Sequence, residues 1–162
     1  MYELHENEQY FFAQKTLDEL AALLDDFSFI CCLCAPSLGE QLANNGKKVR
    51  TLDIDKRFEK NDGFRYFDIN KPEWLEEKYD IIVCDPPFFN ISLSRLFAAI
   101  RSLSQNDFNQ PLMISYLDRR SSNIIGTFSK FGLQTTNYFA EYQTVQKCER
   151  NNIRFFSNIV GV

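Results

Sequence analysis

The sequence predicts an α/β fold built on a mainly parallel sheet with helices on both faces. Three observations predict it. Short runs of strand length alternate with stretches whose apolar residues recur at helical spacing. Several of those runs are apolar almost throughout, as in strands buried on both faces, rather than apolar at every second position. Four of them in succession end in acidic or turn-forming residues: Cys34-Ala35-Pro36-Ser37, then Asp53, then Asp68, then Asp85-Pro86-Pro87-Phe88. In open parallel sheets ligands sit beyond the carboxyl ends of the strands, near the point where strand order reverses, so functional groups are expected along that edge.

The elements follow in chain order. Residues 1–25 read as an N-terminal helical segment, with Gln9-Tyr10-Phe11-Phe12 as an irregular apolar anchor before a helix that starts at Thr16. Tyr10, Phe11, Leu17, Leu20, Ala21 and Leu24 recur near i, i+3, i+4, i+7 spacing, and Thr16-Leu17-Asp18-Glu19 offers a cap and an acidic first turn. The apolar run from Phe27 to Cys34 is the first strand, broken by Ala35-Pro36. Ser37 is placed to cap a short helix over Leu38 to Asn44, which Asn45-Gly46 closes. Lys48 to Asp55 and Phe64 to Asp68 are the second and third strands. Pro72 to Lys78 predicts a helical turn, because proline suits the first helical position. Tyr79 to Cys84 is the fourth strand and Ile91 to Leu103 an amphipathic helix. Pro111 to Tyr116 is the fifth strand, and a helix over Asn123 to Phe131 stops at Gly132. The runs Leu133 to Glu141 and Ile153 to Val160 complete a seven-stranded sheet, as a hairpin-like pair.

At 162 residues the chain reads as one domain, 1–162, long enough to bury a full core. Hydrophobic residues at 44% and charged residues at 25% are ordinary for a globular protein, and no apolar run has the length of a membrane span. The N-terminus lacks the basic start and apolar middle of a signal peptide. Cys31, Cys32 and Cys34 crowd one strand, where they cannot pair with each other, so reduced buried thiols and a cytoplasmic location are expected. Cys-Cys-Leu-Cys without a second ligand pair, in a chain with a single histidine, argues against a metal site. A net charge of −4 argues against tight non-specific binding to duplex nucleic acid. The basic clusters at Arg119-Arg120 and at Lys147, Arg150 and Arg154 read as solvated surface.

The stretch that organises the chain is Tyr79 to Asn90. Two prolines after Asp85 end the strand in a stiff turn, since proline fixes φ and has no N–H to donate. The turn presents the Asp85 carboxylate, the carbonyls of Asp85 and Pro86, and the Phe88 ring: acceptors for an amino group's hydrogens beside a flat stacking surface. Asp85-Pro86-Pro87-Phe88 resembles the D-P-P-(Y/F/W) signature of amino-methyltransferases. The acceptors favour build-up of lone-pair density on a poorly nucleophilic nitrogen, and the ring fixes the plane of a base.

Further motifs extend the resemblance in order along the chain. Gln9-Tyr10-Phe11-Phe12 is similar to Q-F-W-Y, Cys34-Ala35-Pro36-Ser37 to (A/C)-P-(S/T), and Asp53-Ile54-Asp55-Lys56-Arg57-Phe58 to (E/D)-x-D-K-R-F. Phe64 to Asp68 with Ile69-Asn70-Lys71-Pro72 is similar to F-x-F-Y-D-Y-N-x-P, and Arg150-Asn151 with Phe156 to a terminal R-N…F. Together they resemble the N6-adenine methyltransferase family that includes the elongation factor 1-alpha lysine methyltransferases, with a Rossmann-like class I methyltransferase fold. The resemblance implies S-adenosyl-L-methionine as cofactor. It implies that Asp53 takes the ribose hydroxyls, that Asp68 meets the adenine amino group with Ile69 packed on the ring, and that Cys34, Ala35, Pro36 and Ser37 line the methionine end. Asp85, Pro86, Pro87 and Phe88 are implied as the catalytic turn. The acceptor is a macromolecular amine, adenine N6 in nucleic acid or a protein lysine. One departure is the loop after the first strand, whose lone glycine, Gly39, comes late; a methyltransferase fold retained as a binding scaffold is the competing reading.

Overall fold

Strand residues alternate between two apolar layers, which is why the runs are apolar throughout. The structure is a computed structural model describing residues 1–145 and 152–162, so the sequence features at Lys147, Cys148, Arg150 and Asn151 lie outside the described residues. Seven strands form one sheet in the order β3-β2-β1-β4-β5-β7-β6. They are β1 (Phe29–Leu33), β2 (Lys48–Asp53), β3 (Phe64–Tyr66), β4 (Ile81–Cys84), β5 (Leu112–Leu117), β6 (Gln134–Ala140) and β7 (Ile153–Ser157). The first five pair in parallel, and β7 runs antiparallel between β5 and β6. Strand order reverses between β1 and β4, so the ends of these two strands form the crevice where such sheets bind ligands.

Helices α1 (Gln14–Leu23) and α2 (Pro36–Asn44) cover one face, and α3 (Leu93–Leu103) and α4 (Ser121–Thr127) the other. Leu17, Leu20, Leu38 and Leu42 pack with Ile30, Cys32, Ile81, Val83 and Met113. Leu96, Ile100 and Ile124 pack with the intervening strand residues Cys31, Leu33, Ile82, Cys84 and Ile114. Each neighbouring strand residue thus points to the opposite layer. Among the described residues no helix is long and apolar enough to cross a membrane.

Several local expectations are corrected. In the N-terminal segment a 3-10 turn at His5–Asn7 precedes irregular chain over Gln9 to Phe12, as the apolar anchor expected there, and α1 begins at Gln14, two residues before the expected start at Thr16. Thr16 does not cap it; its hydroxyl instead accepts the Glu141 N–H at 3.0 Å, tying α1 to the chain after β6. Helix α2 starts at Pro36, so Ser37 lies inside the first turn and Ala35 precedes it without a side-chain cap. Proline's missing N–H suits that first position. The segment from Pro72 to Lys78 is not helical. Its polar groups are taken by tertiary partners: Glu77 pairs in two-pronged fashion with Arg50 at 2.8 and 2.9 Å, and its carbonyl accepts from Gln105. Gly39 lies inside α2 as a packing residue and not in the loop after the first strand. A Cβ there would lie 2.0 Å from the Thr51 hydroxyl, so glycine is what lets α2 settle against β2.

Candidate active site

The carboxyl edge of the sheet opens into a cavity of about 740 Å³. Every residue singled out from the sequence as catalytic or cofactor-binding lines it: Cys34, Ala35, Pro36 and Ser37 beyond β1, Asp53 at the end of β2, Asp68 and Ile69 beyond β3, and Asp85, Pro86, Pro87 and Phe88 beyond β4. The N-terminal segment from Asn7 to Phe12 forms a further wall, held on by the antiparallel bridge of Phe12 to Tyr142.

At the β1 end, Cys34 adopts φ 56, a left-handed conformation that costs a non-glycine residue roughly 1–2 kcal/mol. Its amide donates to the Leu52 carbonyl at 2.9 Å, so the strained residue is anchored to β2. The chain thereby makes the sharp turn into α2 without glycine. Beside it, Asp53 is buried and one carboxylate oxygen accepts the Asp55 N–H at 2.8 Å. Burial pushes Asp53 up to about 6, with the Asp55 charge adding to the shift and backbone N–H groups opposing it. Asp55, also buried, behaves differently. Burial alone would raise it, but the Arg57 guanidinium and the Gln9 amide hold it below the ordinary range. The Asp55–Arg57 pair at 2.8 Å is thus a structural clamp on the N-terminal segment. Asp68 accepts the Asn70 N–H at 2.9 Å, an Asx-type turn that sets its carboxylate at the cavity wall.

Asp85 lies at the cavity floor. One carboxylate oxygen accepts both the Ser115 hydroxyl at 2.5 Å and the Tyr142 hydroxyl at 2.6 Å. Burial pushes it up to about 7; the two hydroxyls pull it down, and the Asp53 charge pushes it further up. Tyr142 is raised well above the ordinary phenol range, by burial first and by Asp85 second, so it remains a donor. The ring of Phe88 is not free in the way the sequence suggested. It is half-buried and meets Tyr116 edge-on, centroids 5.6 Å apart, while still lining the cavity; Phe89 is the exposed ring, at 66%. At the rim, Arg119 lines the cavity, whereas Arg120 lies over the Tyr116 ring.

The family model described as Probable N6-adenine methyltransferase matches residues 3–160 of this chain. The chain belongs to that family. It is 36% identical over 85 residues to a protein-lysine N-methyltransferase of Drosophila melanogaster, a match covering 48% of this chain and 38% of the relative. It is 34% identical over 102 residues to ribosomal RNA large subunit methyltransferase I of Tolumonas auensis, covering 61% of this chain and 23% of the relative. Both matches span well under half of the relative's length. In fold, the chain resembles the crystal structure of a magnesium protoporphyrin IX methyltransferase from Synechocystis PCC 6803 with bound SAM. That likeness has a TM-score of 0.63 at 19% identity and covers 89% of this chain and 77% of that one.

In this family member, three residues beside the turn escaped the sequence reading. Ser115 carried a faint signal, a hydroxyl inside the otherwise apolar run from Pro111 to Tyr116. Tyr142 and Glu8 carried none, because only the folded chain brings them to Asp85 and to Phe88.

Proposed function

We propose that the protein transfers a methyl group from S-adenosyl-L-methionine to an amino nitrogen of a macromolecule. The observation that carries this reading is Asp85. It is a carboxylate raised to about 7 at the floor of a cavity, with one oxygen engaged by Ser115 and Tyr142, in the same cavity that Asp53 and Asp68 line. Family membership supports it, as do relatives named for methylation of protein lysine and of ribosomal RNA and a fold neighbour holding the cofactor.

The residues present fit the cofactor. Asp53 is a buried carboxylate whose shift comes from burial, with another acid and backbone N–H groups nearby and no cation among its perturbers. Such a group is stabilised by hydroxyl donors, and one carboxylate accepts from both hydroxyls of a ribose. Asp68 would accept from an adenine amino group, Ile69 would pack on the ring, and Cys34 to Ser37 would line the methionine end. S-adenosylmethionine, when bound, supplies a methyl group on a positively charged sulfur.

The protein's own groups act on the acceptor. Asp85 and the carbonyl of Pro86 accept the amine's hydrogens, and the edge-packed Phe88 borders the site. Ser115 and Tyr142 keep one Asp85 oxygen occupied, so the acceptor's hydrogen meets the other. Of the two acceptor classes, lysine is favoured by charge. Among the described residues, Asp53, Asp68 and Asp85 line the cavity as acids not paired with a basic side chain there, while the charges of Glu8 and Asp55 are taken up by the Phe88 to Asn90 amides and by Arg57; against these acids stands Arg119, a balance that suits an ammonium better than a phosphate backbone. A bound lysine then loses one ammonium proton to the ionised Asp85, leaving a neutral amine and a protonated carboxyl. The same reading treats residues 1–162 as one methyltransferase domain of the cytoplasm, in keeping with the free, buried thiols of Cys31, Cys32 and Cys84.

The test is methylation of cell extracts with labelled cofactor, followed by nuclease or protease. Label released by protease and resistant to nuclease is the expected result. Label lost only to nuclease would exclude lysine. Calorimetry with S-adenosylhomocysteine tests the cofactor site directly, and no heat at millimolar ligand would leave the scaffold reading in its place.

A further inference from the structure

Resting on the methyltransferase reading above, we propose that Glu8 is a positioning residue that holds the turn after Pro87 in the shape that receives the acceptor amine. Pro86 and Pro87 have no N–H, so the first donors beyond them are the amides of Phe88, Phe89 and Asn90. All three converge on the Glu8 carboxylate, at 3.1, 3.1 and 2.5 Å. Successive N–H groups gathered in a turn make an anion-binding nest, and here the anion is supplied by the chain itself from 80 residues away in sequence. Charge-assisted bonds of this kind are shorter and about twice as strong as neutral ones.

The orientation matters for chemistry. In a trans peptide the carbonyl points opposite to the N–H, so fixing three N–H groups on Glu8 fixes the planes of the peptides following Pro87, Phe88 and Phe89. These planes adjoin the stiff Asp85-Pro86-Pro87 corner and carry the Phe88 ring. Two further observations show how Glu8 is held in place. Its backbone sits at φ 52, in the left-handed region, with its own N–H bonded to the His5 carbonyl, a strained conformation for a non-glycine residue. Its neighbour Gln9 is pinned at the other end of the cavity, donating to Asp55 at 2.7 Å and accepting from Arg57 at 3.0 Å. Consecutive residues of one strap therefore grip the β2 end, beside Asp53, and the acceptor turn beyond β4.

The experiment compares the full-length wild type with Glu8→Gln and Glu8→Asp, using S-adenosylhomocysteine and sinefungin as probes. Sinefungin places an amine where the reacting methyl would be, so its preference over S-adenosylhomocysteine reads the amine-holding groups. Glu8→Gln, which keeps shape and removes charge, is expected to bind S-adenosylhomocysteine within about twofold of wild type and to lose about tenfold of the sinefungin preference. Hydrogen exchange at the amides of Phe88, Phe89 and Asn90 should accelerate in the same variant, and Glu8→Asp, which retains the charge, should fall between. Unchanged exchange and unchanged preference would overturn the proposal, as would equal weakening of both ligands, which marks a general packing role. Failure of wild type to bind S-adenosylhomocysteine would sink the underlying methyltransferase reading instead.

Discussion

Replacing Asp85 by Asn should stabilise the protein while abolishing turnover, and the stabilisation should depend on pH in a calculable way. The carboxyl is raised from an ordinary 3.8 to about 7 in the folded protein, chiefly by burial. A raised acid binds its proton more tightly when folded, so its stabilising share is fully present below about 3.8 and is lost as pH rises to about 7. One unit of displacement is worth about 1.4 kcal/mol, so ionised Asp85 costs on the order of 4 kcal/mol at pH 8 and about 2 kcal/mol at pH 5. Asparagine does not titrate and still offers an oxygen to Ser115 and Tyr142. The stability advantage of Asp85→Asn over wild type should therefore shrink by about 2–3 kcal/mol between pH 8 and pH 5, or roughly 4–12 °C in melting temperature. Urea denaturation of both proteins at the two pH values measures it. Parallel stability curves would show that Asp85 does not titrate near neutrality and would remove the physical basis for its role as proton acceptor.

Removing either hydroxyl partner of Asp85 acts on the same group. Tyr142→Phe or Ser115→Ala withdraws a bond that lowers the carboxyl, so the alkaline rise of the rate with pH should move up by about one unit; an unmoved profile would assign that rise to another group. Asp53→Asn should weaken S-adenosylhomocysteine by about tenfold or more while stabilising the ligand-free protein above pH 6, where the buried carboxyl would otherwise be ionised. Calorimetry and denaturation at pH 8 separate the two effects, and unchanged affinity would rule out the ribose role. Gly39→Ala should cost about 1–3 kcal/mol without altering the site chemistry, because the new methyl would meet the Thr51 side chain. A neutral result in thermal unfolding would show that α2 is free to shift.

The fold was legible because its signals were local and repeated. Apolar runs such as Ile30 to Leu33 and Ile81 to Cys84 fill both layers at once, and that pattern survives without tertiary information. The convergence of the candidate site residues on one cavity was legible for a related reason: they lie at strand ends, and a parallel sheet brings all such ends to one edge. What failed depended on distant partners. Pro72 to Lys78 looks helical alone, yet Arg50 from β2 claims Glu77 and Gln105 claims its carbonyl. Thr16 looks like a cap, yet it serves the backbone of Glu141. Phe88 looks like a free stacking ring, yet Tyr116 of β5 meets it edge-on.

The same distinction explains how a cavity of this kind is built without the usual glycine. Tight approach of backbone to a ligand needs left-handed turns, and glycine normally supplies them at low cost. Here Cys34 at φ 56 and Glu8 at φ 52 supply two of them, both lining one cavity, and neither residue type announces a left-handed conformation. Each is over-determined by its surroundings. Cys34 is tethered to Leu52 and lies two residues before the proline that starts α2, and Glu8 is bonded to His5 and spends its carboxylate on three amides. Non-glycine strain held in place by such contacts concentrates where geometry is needed for function. The glycine-poor loop is therefore an argument for a prearranged cavity: the left-handed turns at Cys34 and at Glu8 shape its walls without glycine, and the strap that carries Glu8 contributes to them as much as the turn beyond β1 does.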